Sequence, residues 1–293
     1  MISERKTIIS PIDFSEQSFI ALSQTYNLAR KTNCNIRLLH VIDQDFISHL
    51  TAGIFGNENY ADQIRSDIQR RLDELSVKIN KDERISTSVN IREGKIYDEI
   101  VAEANDLDAA FIIMGTLGAS TLKKRFLGSN TSRVIREAHC PVIAIKGHVH
   151  KQGCRHIALP LDLTKETKEK VNTAIEMAKL FDAVIHVFSV TDTDDEYLIN
   201  KLARQLQQVV EFISDAGVEF TGELTKGDNI PEGIIEYASK MEADLIIIMT
   251  QNETHITDLF ISTDAQEVIN NSEIPVLCIR PMVRKDLTQS VLS

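Results

Sequence analysis

Short apolar runs alternate with amphipathic stretches along the whole chain. In the first half, β-branched and aliphatic residues cluster near positions 7–12, 36–42, 85–91, 109–114 and 141–146. After the first run, Ser15 is placed as the N-cap of a helix whose apolar face comprises Phe19, Leu22, Tyr26 and Ala29. The second half repeats this helix after Thr164, with a face made of Val171, Ala174, Ile175 and Ala178. The pattern predicts strands and helices in alternation, twice over.

Two of the apolar runs, 111–114 and 245–249, show no alternation with polar residues. Continuous apolar runs of this length are typical of central parallel strands that helices cover on both faces. Together with the alternation, they predict the α/β class, as two tandem open doubly wound parallel five-stranded sheets flanked by helices. Ligands of such sheets bind beyond the carboxyl ends of the strands, where the strand order reverses.

The two halves also match in sequence. Residues 8–15 recur as residues 157–164, keeping a proline, an aspartate and a terminal hydroxyl. We further match His40-Val41 with His186-Val187, 109–114 with 244–249, and 141–146 with 275–280. Four matches in one order indicate a duplicated unit.

Length and composition fit two globular domains. The 293 residues are 43% hydrophobic and 26% charged, which are ordinary values for folded proteins. We place the domains at 1–147 and 154–282, joined by a linker from Gly147 to Cys154. The opening residues lack the apolar stretch of a secretory signal, no apolar run approaches membrane-spanning length, and the four cysteines are scattered. We expect a cytoplasmic protein that does not contact membranes.

The net charge of −11 is unevenly divided. Residues 1–148 carry 19 basic and 19 acidic side chains, whereas residues 149–293 carry 13 basic and 24 acidic ones. An acidic protein lacks the basic footprint that nucleic-acid binding requires, so we expect no nucleic-acid partner. The asymmetry predicts two halves with different ligands.

The halves differ in the connection after their second strand. Residues 43–60 form a long connection that carries Phe46, Ile47, Leu50, Ile54 and Phe55, whereas the second half has only residues 191–195 there. A long loop with apolar residues is typical of a lid, a partner contact or a mobile segment. The sequence leaves these three roles open.

A glycine-rich segment follows the fourth strand-like run. It begins at Gly115, contains Gly118 and the basic triplet Lys123, Lys124 and Arg125, and ends at Gly128-Ser129-Asn130-Thr131-Ser132. Glycines let backbone N–H groups approach an anion closely, and the start of the next helix adds the positive end of its dipole. This combination suits a polyphosphate.

The spacing G-x2-G-x9-G-[ST], with the Pro-x-Asp element at residues 11–13, resembles the ATP-binding subgroup of the universal stress protein (UspA-like) family. The resemblance covers nearly the whole chain as a tandem pair. It implies an adenine nucleotide alpha hydrolase-like, Rossmann-like fold in each half. It also implies that the final strands, 142–145 and 276–279, pair across a pseudo-twofold axis, giving a pseudo-dimer that can dimerise again as a homodimer.

The resemblance further implies a role for each matching residue. Asp13 contacts the nucleoside above a floor shaped by Pro11 and Ile12, and Val41 offers backbone groups to adenine. The ribose and phosphates are bordered by Met114, Gly115, Leu117 and Gly118, and phosphate is bound at the helix start by Gly128, Ser129, Asn130 and Thr131. The implied cofactor is ATP, with ADP or AMP as alternatives, accompanied by Mg²⁺, although no carboxylate cluster identifies the metal ligands.

The second half keeps Pro160 and Asp162 but departs at the phosphate loop. Residues 250–264 contain no glycine and no basic triplet, and Glu253, Asp258 and Asp264 add negative charge. Side chains would obstruct the backbone, and like charge would repel a triphosphate. We predict an empty or differently occupied second site.

Simpler structural roles compete with several of these assignments. Aspartate often accepts hydrogen bonds at a strand-to-helix turn; we favour that role for Asp162 and ligand contact for Asp13. We interpret Glu166, Glu169 and Lys170 as a solvated helix face. Near the linker, no standard zinc pattern matches the spacing of His148, His150, Cys154 and His156.

These observations support a cytoplasmic ATP-binding regulatory protein of the stress response, with one nucleotide site per chain and an unidentified protein partner. Two other functions stay open: a slow ATPase or autophosphorylating enzyme that uses the same pocket, and a nucleotide-free interaction protein. No Ser-His-Asp set, GxxxxGK[ST] motif or pair of catalytic carboxylates is evident in the sequence, so no catalytic residue is assigned.

Overall fold

The computed structural model describes residues 5–44, 58–82, 84–116, 128–146, 153–162, 167–250 and 261–281. The first half contains β1 (Thr7–Pro11), α1 (Glu16–Thr32), β2 (Asn35–Asp43), α2 (Glu58–Ile79), β3 (Thr87–Gly94), α3 (Ile96–Asp106), β4 (Phe111–Gly115), α4 (Ser129–Glu137) and β5 (Val142–Ile145). The second half contains β6 (His156–Pro160), α5 (Thr167–Phe181), β7 (Val184–Thr191), α6 (Glu196–Asp215), β8 (Phe220–Lys226), α7 (Ile230–Lys240), β9 (Leu245–Met249), α8 (Thr263–Asn271) and β10 (Val276–Ile279). This confirms the predicted α/β alternation.

The ten strands lie in one sheet with the order β3-β2-β1-β4-β5-β10-β9-β6-β7-β8. β1 runs parallel to both of its neighbours, β2 and β4, so the strand order of the first half reverses at β1. β6 takes the same place between β7 and β9 in the second half. Each reversal opens a crevice at the carboxyl ends of the strands, as predicted for doubly wound sheets.

The two halves join through their last strands. β5 and β10 pair antiparallel, with Leu277 opposite Ile143, which confirms the pairing that the family resemblance implies. Reciprocal contacts flank this junction: Lys146 Nζ donates to Asn270 O at 2.7 Å, and Arg280 Nη1 donates to Glu137 O at 3.3 Å. Equivalent basic residues therefore each bind the end of a helix in the other half, as a pseudo-twofold relation requires.

Helices cover both faces of the sheet, and their buried faces agree only in part with those predicted from the sequence. The four residues assigned to the apolar face of α5 are at most 7% exposed, as predicted. In α1 the prediction is wrong for Phe19, which is 39% exposed, whereas Ala21 and Leu28 are buried. Residues 19–22 are all apolar, so periodicity alone does not single out the face that meets the sheet. The predicted N-cap is confirmed, since Ser15 Oγ accepts from Ser18 N at 3.2 Å.

Backbone hydrogen bonds establish which residues of the halves correspond. Thr116 N donates to Ile145 O at 2.9 Å and Thr250 N donates to Ile279 O at 3.0 Å. Gly128 N donates to Thr116 O, and Ser262 N donates to Thr250 O. Thr116 therefore corresponds to Thr250 and Gly128 to Ser262, which places Met249 opposite Gly115. The sequence match of 109–114 with 244–249 was wrong by one residue.

The match of His40-Val41 with His186-Val187 was also wrong. Ile12 N donates to Leu39 O at 2.8 Å, and Leu161 N donates to Phe188 O at 2.7 Å. Leu39 thus corresponds to Phe188, and His40 to Ser189. Buried parallel strands are apolar throughout, so a repeated dipeptide in them is a poor marker of register.

One buried charged group distinguishes the first half. Glu103 on α3 is 3% exposed, and its Oε2 accepts from Arg92 Nε at 2.6 Å and from Asn90 Nδ2 at 2.8 Å. Arg37 Nε lies 3.4 Å from Glu103 Oε1. Tyr237 takes the position of Glu103 in the second half. Glu103 therefore ties β2 and β3 to α3 by contacts that the duplicated unit does not share.

Within the described ranges, every helix is too short or too polar to cross a lipid bilayer.

Candidate functional site

The reversal at β1 opens a crevice of about 170 Å³. Its described lining includes ten predicted site residues: Pro11, Ile12, Asp13, Val41, Met114, Gly115, Gly128, Ser129, Asn130 and Thr131. The structure thus brings together segments that lie more than a hundred residues apart along the chain. Leu117, Gly118 and the triplet 123–125, which were also assigned to this site or its loop, lie outside the described residues.

Sequence reasoning missed several lining residues. Ser18, Leu39, Ile96 and Ile100 also border the crevice. Three of them are ordinary core residues by pattern, since Leu39 belongs to β2 while Ile96 and Ile100 belong to the first turns of α3. The strand order of the sheet places α3 at this edge, and that order cannot be derived from the local sequence pattern.

Asp13 lies at the turn from β1 into α1. The turn is tight, because Phe14 has a left-handed φ of 62°. Asp13 Oδ1 accepts from Ser15 N at 3.0 Å and from Ser15 Oγ at 2.5 Å. The structural role foreseen as an alternative is therefore present, while the exposed carboxylate still borders the crevice.

His40 supports the floor of this crevice from behind. Its Nδ1 lies 2.6 Å from Ile12 O, which requires the proton on Nδ1, and its ring packs 5.3 Å from the Phe14 ring. The Arg71 guanidinium also packs on Phe14, 3.7 Å from the ring centroid. These contacts fix the backbone on both sides of Asp13.

Burial lowers the pKa of His40, against the smaller opposing effects of the Ile12 hydrogen bond and the Asp13 charge. Burial also lowers the pKa of His186. Because the unfolded chain then binds more protons just below pH 6.5, the free energy of unfolding should fall as the pH drops through that range. We expect His40→Asn, whose amide can still donate to Ile12 O, to reduce this pH dependence in urea denaturation series. An unchanged slope would contradict a neutral His40.

Two glycines make room at the far side of the crevice. A Cβ on Gly128 would lie 2.9 Å from Thr116 O, and one on Gly115 would lie 3.0 Å from Gln17 Cβ. Both distances are closer than side chains normally tolerate, so any larger residue would displace backbone or α1. Neither glycine is required for a left-handed φ; both are required for space.

The start of α4 presents backbone donors to the crevice that have no hydrogen-bond partner among the described residues. Gly128 is the N-cap and has no side chain to accept from the first turn. The first N–H groups of a helix have no partners within the helix, so those of residues 129–131 are available to a ligand. Thr131 Oγ1 is used elsewhere, donating to Gly115 O at 3.0 Å, and Thr131 is 3% exposed. An uncapped helix start with its dipole is a binding site for anions.

In the second half, residues with side chains occupy the positions that correspond to these glycines. Ser262, at the place of Gly128, caps α8 by accepting from Ala265 N at 3.3 Å. Asp264, at the place of Asn130, adds negative charge to the first turn of α8, and Met249 stands at the place of Gly115. The corrected register therefore sharpens the predicted loss of phosphate chemistry: both glycines of the first crevice are replaced.

The prediction that Lys170 belongs to a solvated face of α5 is wrong. The residue is 3% exposed, and its Nζ donates to Pro160 O at 2.7 Å. Glu169 on the same helix is only partly buried, and Glu166 lies outside the described residues. A lysine one turn into a helix can extend under the preceding strand, because its long stem reaches a carbonyl that shorter residues do not.

The other predicted features near the linker are partly outside the description. His148 and His150 are not described, whereas Cys154 is buried and His156 Nδ1 lies 2.9 Å from His186 Nε2. Among the described residues, no group of three or more histidine, cysteine or carboxylate side chains is arranged to hold a metal ion.

Comparisons with known proteins identify the family. The sequence profile described as universal stress protein family matches residues 4–146 and again residues 153–280. The chain is 32% identical over 155 residues to universal stress protein MJ0577 of Methanocaldococcus jannaschii, covering 48% of this chain and 94% of that protein. It is 30% identical over 142 residues to universal stress protein MJ0531 of the same organism, covering 48% and 82%.

Solved structures extend the likeness to both halves together. A crystal structure of a universal stress protein from Archaeoglobus fulgidus superposes with a TM-score of 0.73 at 23% identity, covering 94% of this chain and 96% of that one. The topology and the two crevices define a duplicated, doubly wound α/β protein. The chain belongs to the universal stress protein family and, because the profile matches twice, it is a tandem member.

Proposed function

We propose that this protein is an ATP-binding regulatory module whose one nucleotide site is the crevice of the first half. The observation that carries the proposal is the uncapped start of α4, which faces the same crevice as Asp13 and Val41. N–H donors that have no partner within α4, the helix dipole and two space-making glycines favour an anion beside a cleft that has both apolar and polar walls. A nucleoside with phosphates has this same division into an apolar and an anionic part.

Each lining segment then takes one part of the nucleotide. Asp13 accepts hydrogen bonds from the nucleoside, and the Val41 backbone meets adenine. Met114 and Gly115, with Leu117 and Gly118 beyond the described residues, border the ribose and the phosphates. Residues 128–131 donate to phosphate oxygens. ADP and AMP would share the nucleoside contacts, so the phosphate contacts select among the three.

Mg²⁺ fits this arrangement as a companion of the nucleotide. Asp13 is the only carboxylate among the described lining residues, and a Mg²⁺ ion needs only one or two carboxylates when phosphates and water complete its octahedron. The ion would neutralise part of the triphosphate charge. Asp13 or water bound to it would hold the metal from the protein side.

The regulatory role follows from what surrounds the crevice. Segments 43–60 and 115–132 flank it in sequence, and we propose that nucleotide binding changes their arrangement and so the affinity for a protein partner or a second chain. A cytoplasmic location belongs to the same proposal. The buried, hydrogen-bonded hydroxyl of Thr131 is poorly placed to accept a phosphoryl group.

The proposal predicts one ATP per full-length chain. In isothermal titration calorimetry with Mg²⁺, we expect a single saturable site and weaker binding when the metal is removed, because the triphosphate then carries more charge. Phosphate release in a parallel turnover assay should not exceed that of Gly118→Glu, which adds bulk and charge to the phosphate loop. Two equivalents of ATP, or no binding at millimolar ATP, would contradict the proposal.

A further inference from the structure

The reversal at β6 opens a second crevice, which is larger than the first. Its volume is about 300 Å³, against about 170 Å³ for the crevice at β1. This size lies at the lower end of the range found for small-molecule sites. The second half has therefore kept a pocket at the position where doubly wound sheets bind ligands, although the two glycines of the first crevice are replaced there.

The inner wall of this second crevice is apolar. Six side chains that are at most 9% exposed form it: Val190, Leu202, Ile234, Ile248, Met249 and Val268. They come from five elements: β7, α6, α7, β9 and α8. Removing such a surface from water favours an apolar body of matching size.

The rim of the crevice is acidic. Asp162, Asp192 and Asp264 line it, and all three are exposed. Among the described lining residues the only cation is Lys170, which is 3% exposed and donates to Pro160 O at 2.7 Å. Among the described lining residues, carboxylates thus outnumber ammonium groups by three to one.

We propose that this crevice binds a small amphiphilic cation, an apolar body that carries an ammonium group. The apolar body fills the wall, and the ammonium group lies among the three carboxylates at the rim. Anionic ligands are disfavoured, because Ser262 Oγ occupies the N–H group of Ala265 and Asp264 adds a negative charge to the first turn of α8. The two crevices of one chain thus accept ligands of opposite charge.

Methionine methyl groups allow the two sites to be observed separately. Met114 lines the first crevice and Met249 lines the second, and the chain contains six methionines. With methyl-labelled methionine in the full chain, assigned by Met→Leu variants, 4-phenylbutylamine should shift the Met249 signal saturably and leave Met114 unchanged. The neutral 4-phenylbutanol should bind roughly tenfold more weakly, and 4-phenylbutyrate more weakly still.

Variants that remove charge distinguish the contribution of the acidic rim to binding from that of the apolar wall. The double variant Asp192→Asn/Asp264→Asn should lose the preference for the amine over the alcohol while still binding the alcohol. Asp215→Asn, an exposed change at the end of α6, is the matched control and should keep the preference. Absence of a saturable Met249 shift with any probe would overturn the proposal, as would tightest binding of the carboxylate. ATP binding at Met114 is read independently, so failure of either site is distinguishable.

Discussion

Asn130→Asp is expected to weaken ATP binding roughly 10- to 100-fold. The substitution copies Asp264, its counterpart in the second half, and places a negative charge in the first turn of α4, where the proposed site holds phosphate. At about 5 Å, two like charges at a partly exposed site repel by roughly 1–3 kcal/mol, and 1.4 kcal/mol corresponds to a tenfold change in affinity. Calorimetric titration with Mg-ATP measures the change directly.

The fold should survive this substitution, since acidic residues are favourable near a helix N-terminus. Asn200→Asp, on the exposed side of α6 in the other half, changes the net charge equally and should leave the affinity for ATP unchanged. High salt should narrow the difference between wild type and Asn130→Asp, because the repulsion is electrostatic. Equal affinity of wild type and variant at low salt would argue against phosphate at the start of α4.

Glu103→Ala is expected to lower the free energy of unfolding by about 3 kcal/mol. Glu103 is 3% exposed and holds Arg92, Asn90 and Arg37 through its two oxygens. Removing its side chain leaves a cavity, and the partly buried Arg37 and the Asn90 amide lose the carboxylate that they contact. Arg92 keeps Glu99 and Asp106, which limits the loss.

Urea denaturation followed by circular dichroism measures this loss. Glu74→Ala is the matched control, because Glu74 pairs with Arg70 on the exposed face of α2 at 2.9 Å. Such exposed pairs contribute at most about 0.5 kcal/mol. If Glu103→Ala cost no more than Glu74→Ala, the buried cluster would contribute nothing to holding β2 and β3 to α3.

Much of the fold could be predicted from local patterns. Ser15 as a helix cap, the apolar face of α5 and the unbroken apolar runs of β4 and β9 each follow from properties of a few neighbouring residues. The gathering of ten predicted site residues around one crevice follows from the topology rule for doubly wound sheets. The proposed contacts of these residues with a nucleotide stay predictions.

The errors share one physical cause, which is that uniform apolar segments carry little positional information. Residues 19–22 of α1 are all apolar, so the exposed Phe19 could not be distinguished from the buried Ala21. In β4 and β9 the same uniformity hid a shift of one residue, and with it the replacement of Gly115 by Met249. Lys170 was misassigned for another reason: its ammonium group donates to the carbonyl of Pro160, which lies ten residues earlier on β6 and outside the helix whose pattern was used.

The central claim is that one crevice of the pair binds nucleotide, and methionine-methyl NMR of the full chain tests it most directly. Addition of Mg-ATP should shift the Met114 signal saturably and leave Met249 unchanged, because α4 begins without a side-chain cap or an acidic residue in its first turn, whereas α8 has both. A shift of Met249 with the same affinity, or no shift of Met114 at saturating ATP, would contradict the account.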